Sequence, residues 1–240
     1  MIYKYAYFIV IFFVSGFSLC FSQTKMPSFF SNNMVLQQNE NVAIWGTDVP
    51  GSMIQIHTSW GVVERIKTGE DGKWETKIPT EKASFEKQEI TVKGSSTIIL
   101  QNVLIGEVWF GSGQSNMEMP MRGFNNAPIN NSEELIGTSA NEHIRLFNTE
   151  RDASLAQEED VVGSWEETNP ETVRSFSAIG YLFGRKLFEE LQVPIGIIES
   201  SWGGTCILYT SEVADDMEGV VTGARINRKR EQLRIEGLVA

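Results

Sequence analysis

Val103-Leu-Ile-Gly-Glu-Val-Trp-Phe110, followed at once by Gly111-Ser-Gly-Gln-Ser-Asn-Met117, decides the fold. The first stretch is almost continuously apolar, as expected of a strand buried on both faces in a parallel sheet. The second is a tight, Gly-flanked turn at that strand's carboxyl end, the edge where ligands bind in open α/β sheets. Further on, Ser177 to Gln192 carries Ile179, Leu182, Phe183, Leu187, Phe188 and Leu191 at helical spacing, which predicts one apolar face. Ser177 is placed to cap that helix, and Pro194 closes it. Ile195-Gly-Ile-Ile198 then reads as a second short buried strand, and Ser200-Ser-Trp-Gly-Gly-Thr205 as a Gly-rich loop at its end. Strand, helix, strand in this order predicts an α/β domain with a parallel sheet.

Upstream, residues 24 to about 102 read as all-β. Val42 and Ile44, Ile54 and Ile56, Trp74 and Ile78, Ile90 and Val92, and Ile98 and Leu100 alternate with other residues. Turn chemistry separates the runs at Asp48-Val-Pro-Gly51, Glu70-Asp-Gly72 and Lys93-Gly-Ser-Ser96. Short strands at this spacing predict a small β-sandwich. The apolar run Ala6 to Val14, with small and polar residues up to Ser22, predicts a secretory signal over 1–22 with a mature start at Gln23. A retained membrane anchor is the other reading of the same run. The expected organisation is therefore a signal peptide at 1–22, a sandwich at 23–102, an α/β domain at 103–213 and a divergent basic tail at 214–240. Cleavage at Ser22 removes Cys20 and leaves Cys206 as the one thiol, so no intrachain disulfide is expected.

The formal net charge of −11 disfavours nucleic acid and anionic membranes as partners and suits a neutral ligand. No Cys/His grouping has metal-ligand spacing, and no phosphate-binding or dinucleotide motif occurs, so neither metal nor cofactor is expected. Ser115 is the candidate nucleophile. Gly111 and Gly113 let the backbone turn sharply beneath it, and a helix beginning near Asn116 would point free N–H groups at a developing oxyanion. Met117 stands where the α/β-hydrolase elbow requires its second glycine, so that particular fold is not expected. A Gly/Ser turn without chemistry fits the same residues. Serine needs a base, and the chain has only His57 and His143, each placed on a predicted strand and read as structural.

The block Gly106 to Pro120 resembles the nucleophile block of the sialate O-acetylesterase family, SGNH-type serine hydrolases that remove acetyl groups from sugar hydroxyls. The resemblance also runs through Asn33-Met-Val-Leu-Gln37, Trp45-Gly46, Asp71-Gly-Lys-Trp74, Ile144-Arg-Leu-Phe147, Phe176-Ser-Ala178, Gly184-Arg185, Val193-Pro-Ile-Gly196 and Ser200 to Thr205, in the family's order. It implies an SGNH-like parallel-sheet hydrolase domain. It further implies Ser115 as nucleophile, the backbone N–H groups of Ser115 and Gly204 as oxyanion donors, and Gln114 and Asn116 as residues shaping the turn. The family's Gln-Gly-Glu block and its Asp-x-His block, which supplies the general base, have no counterpart in residues 212–240. Cys206-Ile-Leu-Tyr209 also departs from the family's pattern after Thr205.

Together these readings predict a secreted or periplasmic serine esterase acting on acetylated carbohydrate through an acetyl-enzyme, present here as the N-terminal part of an incomplete hydrolase domain and inactive alone. A missing C-terminal part is the implied partner. The alternatives are a glycan-binding protein without catalysis, using aromatics such as Trp60, Trp74 or Trp202, or an inactive fragment of a split enzyme.

Overall fold

The computed structural model describes residues 23–154 and 158–203, and the backbone of 221–222. The expected signal segment, Gly204, Cys206 and the basic tail lie outside the described residues.

Seven strands come first: β1 (Val35–Gln37), β2 (Asn41–Thr47), β3 (Met53–Thr58), β4 (Val63–Lys67), β5 (Lys73–Pro79), β6 (Ser84–Lys93) and β7 (Thr97–Gly113). The predicted alternation is present in them. Ile54, Ile56, Ile90 and Val92 are buried, as are Ile44, Trp74 and Ile78. There follow α1 (Ser115–Glu118), α2 (Ser132–Gly137), β8 (Asn141–Asn148), β9 (Ala153–Ser154), β10 (Trp165–Thr168), α3 (Pro170–Ser175), α4 (Ala178–Leu191) and β11 (Ile195–Ser201). The backbone of Val221–Thr222 pairs with β9.

The main sheet is mixed and has eight strands, in the order β10-β8-β11-β7-β6-β3-β4, with β1 also paired to β7. β2 and β5 form a separate antiparallel ribbon. The strands expected at Ile98–Leu100 and at Val103–Phe110 are one strand, because Asn102 adopts a left-handed backbone (φ 57°) without ending the ladder. The first part of β7 pairs antiparallel with β6, and its last seven residues pair parallel with β11. β11 is likewise longer than expected and carries the ladder to Ser201.

This half of the sheet is covered on both faces, as the unbroken apolar runs require. On one face Val108, Phe147, Ile198 and Trp165 join the core that also holds Ile54, Ile90 and Trp74. On the other, Ile144, Leu146, Ile195 and Ile197 meet Val173, Phe176 and Tyr181. Arg145, on β8, is fully buried. It is paired with Glu167, donates to the Asn102 side chain, and bonds the Glu142 carbonyl.

Helix α4 corrects the sequence reading. Its cap is as expected, with the Ser177 hydroxyl accepting from the Gly180 N–H at 3.1 Å. The buried residues, however, are Ala178, Gly180, Tyr181 and Gly184, while Ile179 (49% exposed), Leu182 and Phe183 face outward. The helix lies so close to β11 that a methyl group at Gly184 would sit 2.8 Å from Ile197 Cγ1. Leu187 and Phe188 do pack partly buried against the core as expected, but at the closest approach to β11 small residues displace the larger apolar ones. Gly184→Ala sets about 2 kcal/mol of overpacking against about 1 kcal/mol of gained helix propensity. A net loss of about 1 kcal/mol in urea unfolding is expected, and an unchanged or raised midpoint would contradict the close packing.

Among the described residues, no helix is long and apolar enough to cross a membrane.

Candidate active site

The carboxyl ends of three parallel strands, β8, β11 and β7, meet at one edge. Ser115 follows β7 there as the first residue of α1, with an exposed side chain; Gln114 precedes it at the cap position and Asn116 is exposed beside it. The turn is tight because Met117 folds back over the two glycines. A methyl group at Gly111 would meet Met117 Cε at 3.0 Å, and one at Gly113 would meet Met117 Cγ at 2.8 Å. The residue that breaks the Gly-x-Ser-x-Gly pattern is thus the packing partner of the glycines that precede it. The chain after the turn is tied down by Ala178 N–H to the Met119 carbonyl and Met121 N–H to the Phe176 carbonyl, both at 2.8 Å.

The loop after β11 closes on the serine. The Trp202 N–H donates to the Gly113 carbonyl at 3.1 Å. A methyl group at Gly203 would lie 3.2 Å from Ser115 Oγ and 2.2 Å from a Glu118 carboxylate oxygen, so a side chain there would displace Glu118 and crowd the serine hydroxyl. Glu118 accepts from the Gly203 N–H and pairs with Arg151. It therefore pins the glycine loop to α1, a role its sequence gave no means of finding, because Arg151 lies far along the chain.

The second residue missed by the sequence reading is Glu199, the last side chain of the apolar run on β11. It is 3% exposed. Among the described residues neither of its carboxylate oxygens has a donor in hydrogen-bond geometry. Burial pushes its carboxyl up to about 7, with the nearby Ser201 hydroxyl pulling weakly the other way. Gly111 makes room for it, since a methyl there would lie 2.8 Å from Glu199 Oε2. The signal for it was a lone charge at the end of a buried parallel strand.

Neither histidine is near. His143 lies near the start of β8, at the opposite end of the sheet, where its ring sits 4.5 Å from Phe85 and stacks on Phe188. The β8–β11–β7 ladder aligns its neighbour Ile144 with Ile195 and Glu107, so six residues of β7 separate that level from Gly113. At about 3.3 Å per residue this is roughly 20 Å. His57 lies on β3, farther still, opposite Thr91 and Val63. Among the described residues there is no group of three acidic, histidine or cysteine side chains that would hold a metal ion.

A mixed sheet with an exposed serine on the turn after a central parallel strand, and a glycine loop from the neighbouring strand against its hydroxyl, is an α/β arrangement suited to acyl transfer. Comparison with known proteins narrows the class. The chain is 33% identical over 202 residues to the sialate O-acetylesterase of Homo sapiens, covering 76% of this chain and 38% of that protein. It is 32% identical over 201 residues to the Rattus norvegicus enzyme of the same name, with 76% and 36% covered. A carbohydrate acetylesterase from Xanthomonas citri, solved by crystallography, superposes with a TM-score of 0.72 at 26% identity, over 77% of this chain and 41% of that one. No family model matches. The chain is a relative of the sialate O-acetylesterases, in keeping with the resemblance read from its motifs, and it spans less than two fifths of the length of these curated relatives.

Proposed function

We propose that this chain carries the nucleophile half of a serine esterase that removes O-acetyl groups from carbohydrate. The observation that carries the reading is the exposed Ser115 hydroxyl with the Gly203 backbone against it. Ser115 Oγ attacks the acetyl carbonyl carbon, and the tetrahedral intermediate expels the sugar hydroxyl. Water then attacks the acetyl-serine, releasing acetate and restoring the hydroxyl. The backbone N–H groups of Ser115 and Gly204 receive the oxyanion, while Gln114 and Asn116 shape the turn.

The proton leaves Ser115 for a histidine that neither His57 nor His143 supplies, so the base comes from a segment such as the family's Asp-x-His block. In this reading, residues 1–22 direct export to the periplasm or beyond. Residues 23–102 form a small sandwich, with the β2–β5 ribbon against the β6–β3–β4 part of the sheet. Residues 103–213 belong to the α/β esterase domain. The distant histidines also favour a second reading, a glycan-binding protein or one inactive part of a split enzyme.

The test joins this chain to an Asp-x-His-bearing segment and adds O-acetylated sialic acid or an O-acetylated neutral sugar. An acid quench followed by peptide mass spectrometry is expected to find the acetyl group on the Ser115 peptide. Deacetylation that leaves no acetyl there, or no deacetylation at all by a folded protein, would overturn the esterase reading.

A further inference from the structure

A cavity of about 350 Å³ lies beside the serine turn, and Glu199, Ser201, Ser177, Asn148, Glu118 and Arg151 are among the residues that line it. Its wall is mostly polar, with Met117 among the apolar exceptions. Glu199 stands out there as a carboxylate that is 3% exposed and has no donor for either oxygen among the described residues. Burying an acid without donors is costly, and packing alone would be served as well by an amide or an aliphatic side chain. Its backbone, by contrast, is firmly held, the carbonyl accepting from the Thr149 N–H at 3.0 Å and from the Thr149 hydroxyl at 3.1 Å. The residue is thus held in place by its backbone, and among the described residues the Ser201 hydroxyl is the one neighbour that draws weakly on its carboxylate.

We propose that Glu199 is a ligand-binding residue, its two oxygens receiving a pair of neighbouring hydroxyl groups of a sugar ring held in this cavity. The substrate class rests on the acetylesterase reading; the unpaired carboxylate does not. Two fixed acceptors side by side match two adjacent O–H donors. The surrounding charges favour a neutral ligand over an anionic one. Glu118 from α1 and Glu150 from the segment after β8 face the same space, and Arg151, the one cation lining it among the described residues, is already paired with Glu118. The end of α3 and the link to α4 contribute Ser175 and Ser177. Hydroxyl donors favour the ionised carboxylate, whereas burial in the free chain favours the acid form and holds the group at about 7. Ligand binding therefore releases a proton and strengthens as pH rises through neutrality.

The test titrates the 240-residue chain with the methyl glycosides of mannose, galactose and glucose by calorimetry at pH 6 and pH 8. These probes are neutral and carry no ester, so turnover plays no part. Binding of at least one is expected to be about tenfold tighter at pH 8, from the change in the ionised fraction of a group near 7. Glu199→Gln keeps the shape but has one acceptor in place of two, and is expected to lose about tenfold at pH 8 together with the pH dependence. In the parent, the Glu199 carboxyl carbon resonance is expected to titrate near 7 and to shift down in saturating glycoside. Absence of glycoside binding, or binding that Glu199→Gln leaves unchanged, overturns the proposal. Binding that depends on Glu199 beside an unacetylated Ser115 would uphold this site and sink the esterase reading alone.

Discussion

A polypeptide of these 240 residues is expected to hydrolyse p-nitrophenyl acetate barely faster than buffer. The oxygen of Ser115 is exposed, yet among the described residues no histidine lies within reach to take its proton. His143 is roughly 20 Å down the sheet by strand rise, wedged against Phe85 and Phe188. In acyl-transfer serine enzymes the nucleophile and base act as a unit, and losing the base costs on the order of a million-fold in turnover. Backbone donors at the serine turn would still supply about a thousand-fold over water if they hold their geometry. Joined to a segment bearing the Asp-x-His block, the same chain is expected to gain several orders of magnitude. Ser115→Ala is expected to remove that gain entirely. Strong aryl-acetate hydrolysis by the 240-residue chain that survives Ser115→Ala would place the chemistry elsewhere.

Glu199→Gln is expected to make the protein more stable at pH 8 and to flatten its pH profile. The carboxyl sits at about 7 in the folded chain against an ordinary 4.5, because burial disfavours its charge. Between these two values the unfolded chain has lost the proton and the folded chain keeps it. Stability therefore falls as pH rises from about 4.5 to about 7 and levels off above. The loss is on the order of 3 kcal/mol, or about 5–10 °C in Tm for a chain of this size. Glutamine cannot ionise, so the difference between the two proteins should be small at pH 4 and largest at pH 8. Surface carboxylates held low by a hydrogen-bonded cation, such as Glu133 by Arg174 and Glu142 by Lys87, act in the acid range and are common to both proteins. Parallel Tm curves from pH 4 to pH 8 would mean that Glu199 is ionised and satisfied.

Strands such as β3 and β6 were legible because each buries one face and leaves the other more exposed, and β7 and β11 because their apolar runs are unbroken. Ile54 and Ile56, or Ile90 and Val92, announce their side by alternation alone. The serine turn was legible because glycines crowd around it. Helix α4 was misread on its buried face, since hydrophobic periodicity weighs Ile179 and Phe183 but is blind to the closeness that Gly180 and Gly184 permit. Whether Asn102 would break a strand or be carried through it depends on its neighbours in space. There, its side chain donates to Asn33 and Glu167 and accepts from Arg145. Glu118 and Glu199 escaped notice for a related reason. A charge in sequence looks solvated until the fold shows what lies over it.

The length of β7 has a mechanical consequence. One end is clamped by β6 and the other by β11, with β1 gripping the middle. Slipping such a strand by a single residue would swap its two faces, sending Val108 into the core under the helices while Trp109 crossed to the other, and it would have to break three ladders at once. The serine is thus held at a measured height, as on the end of a ruler fixed along its whole length. Its position at the sheet edge is set partly by strands whose own residues never approach it.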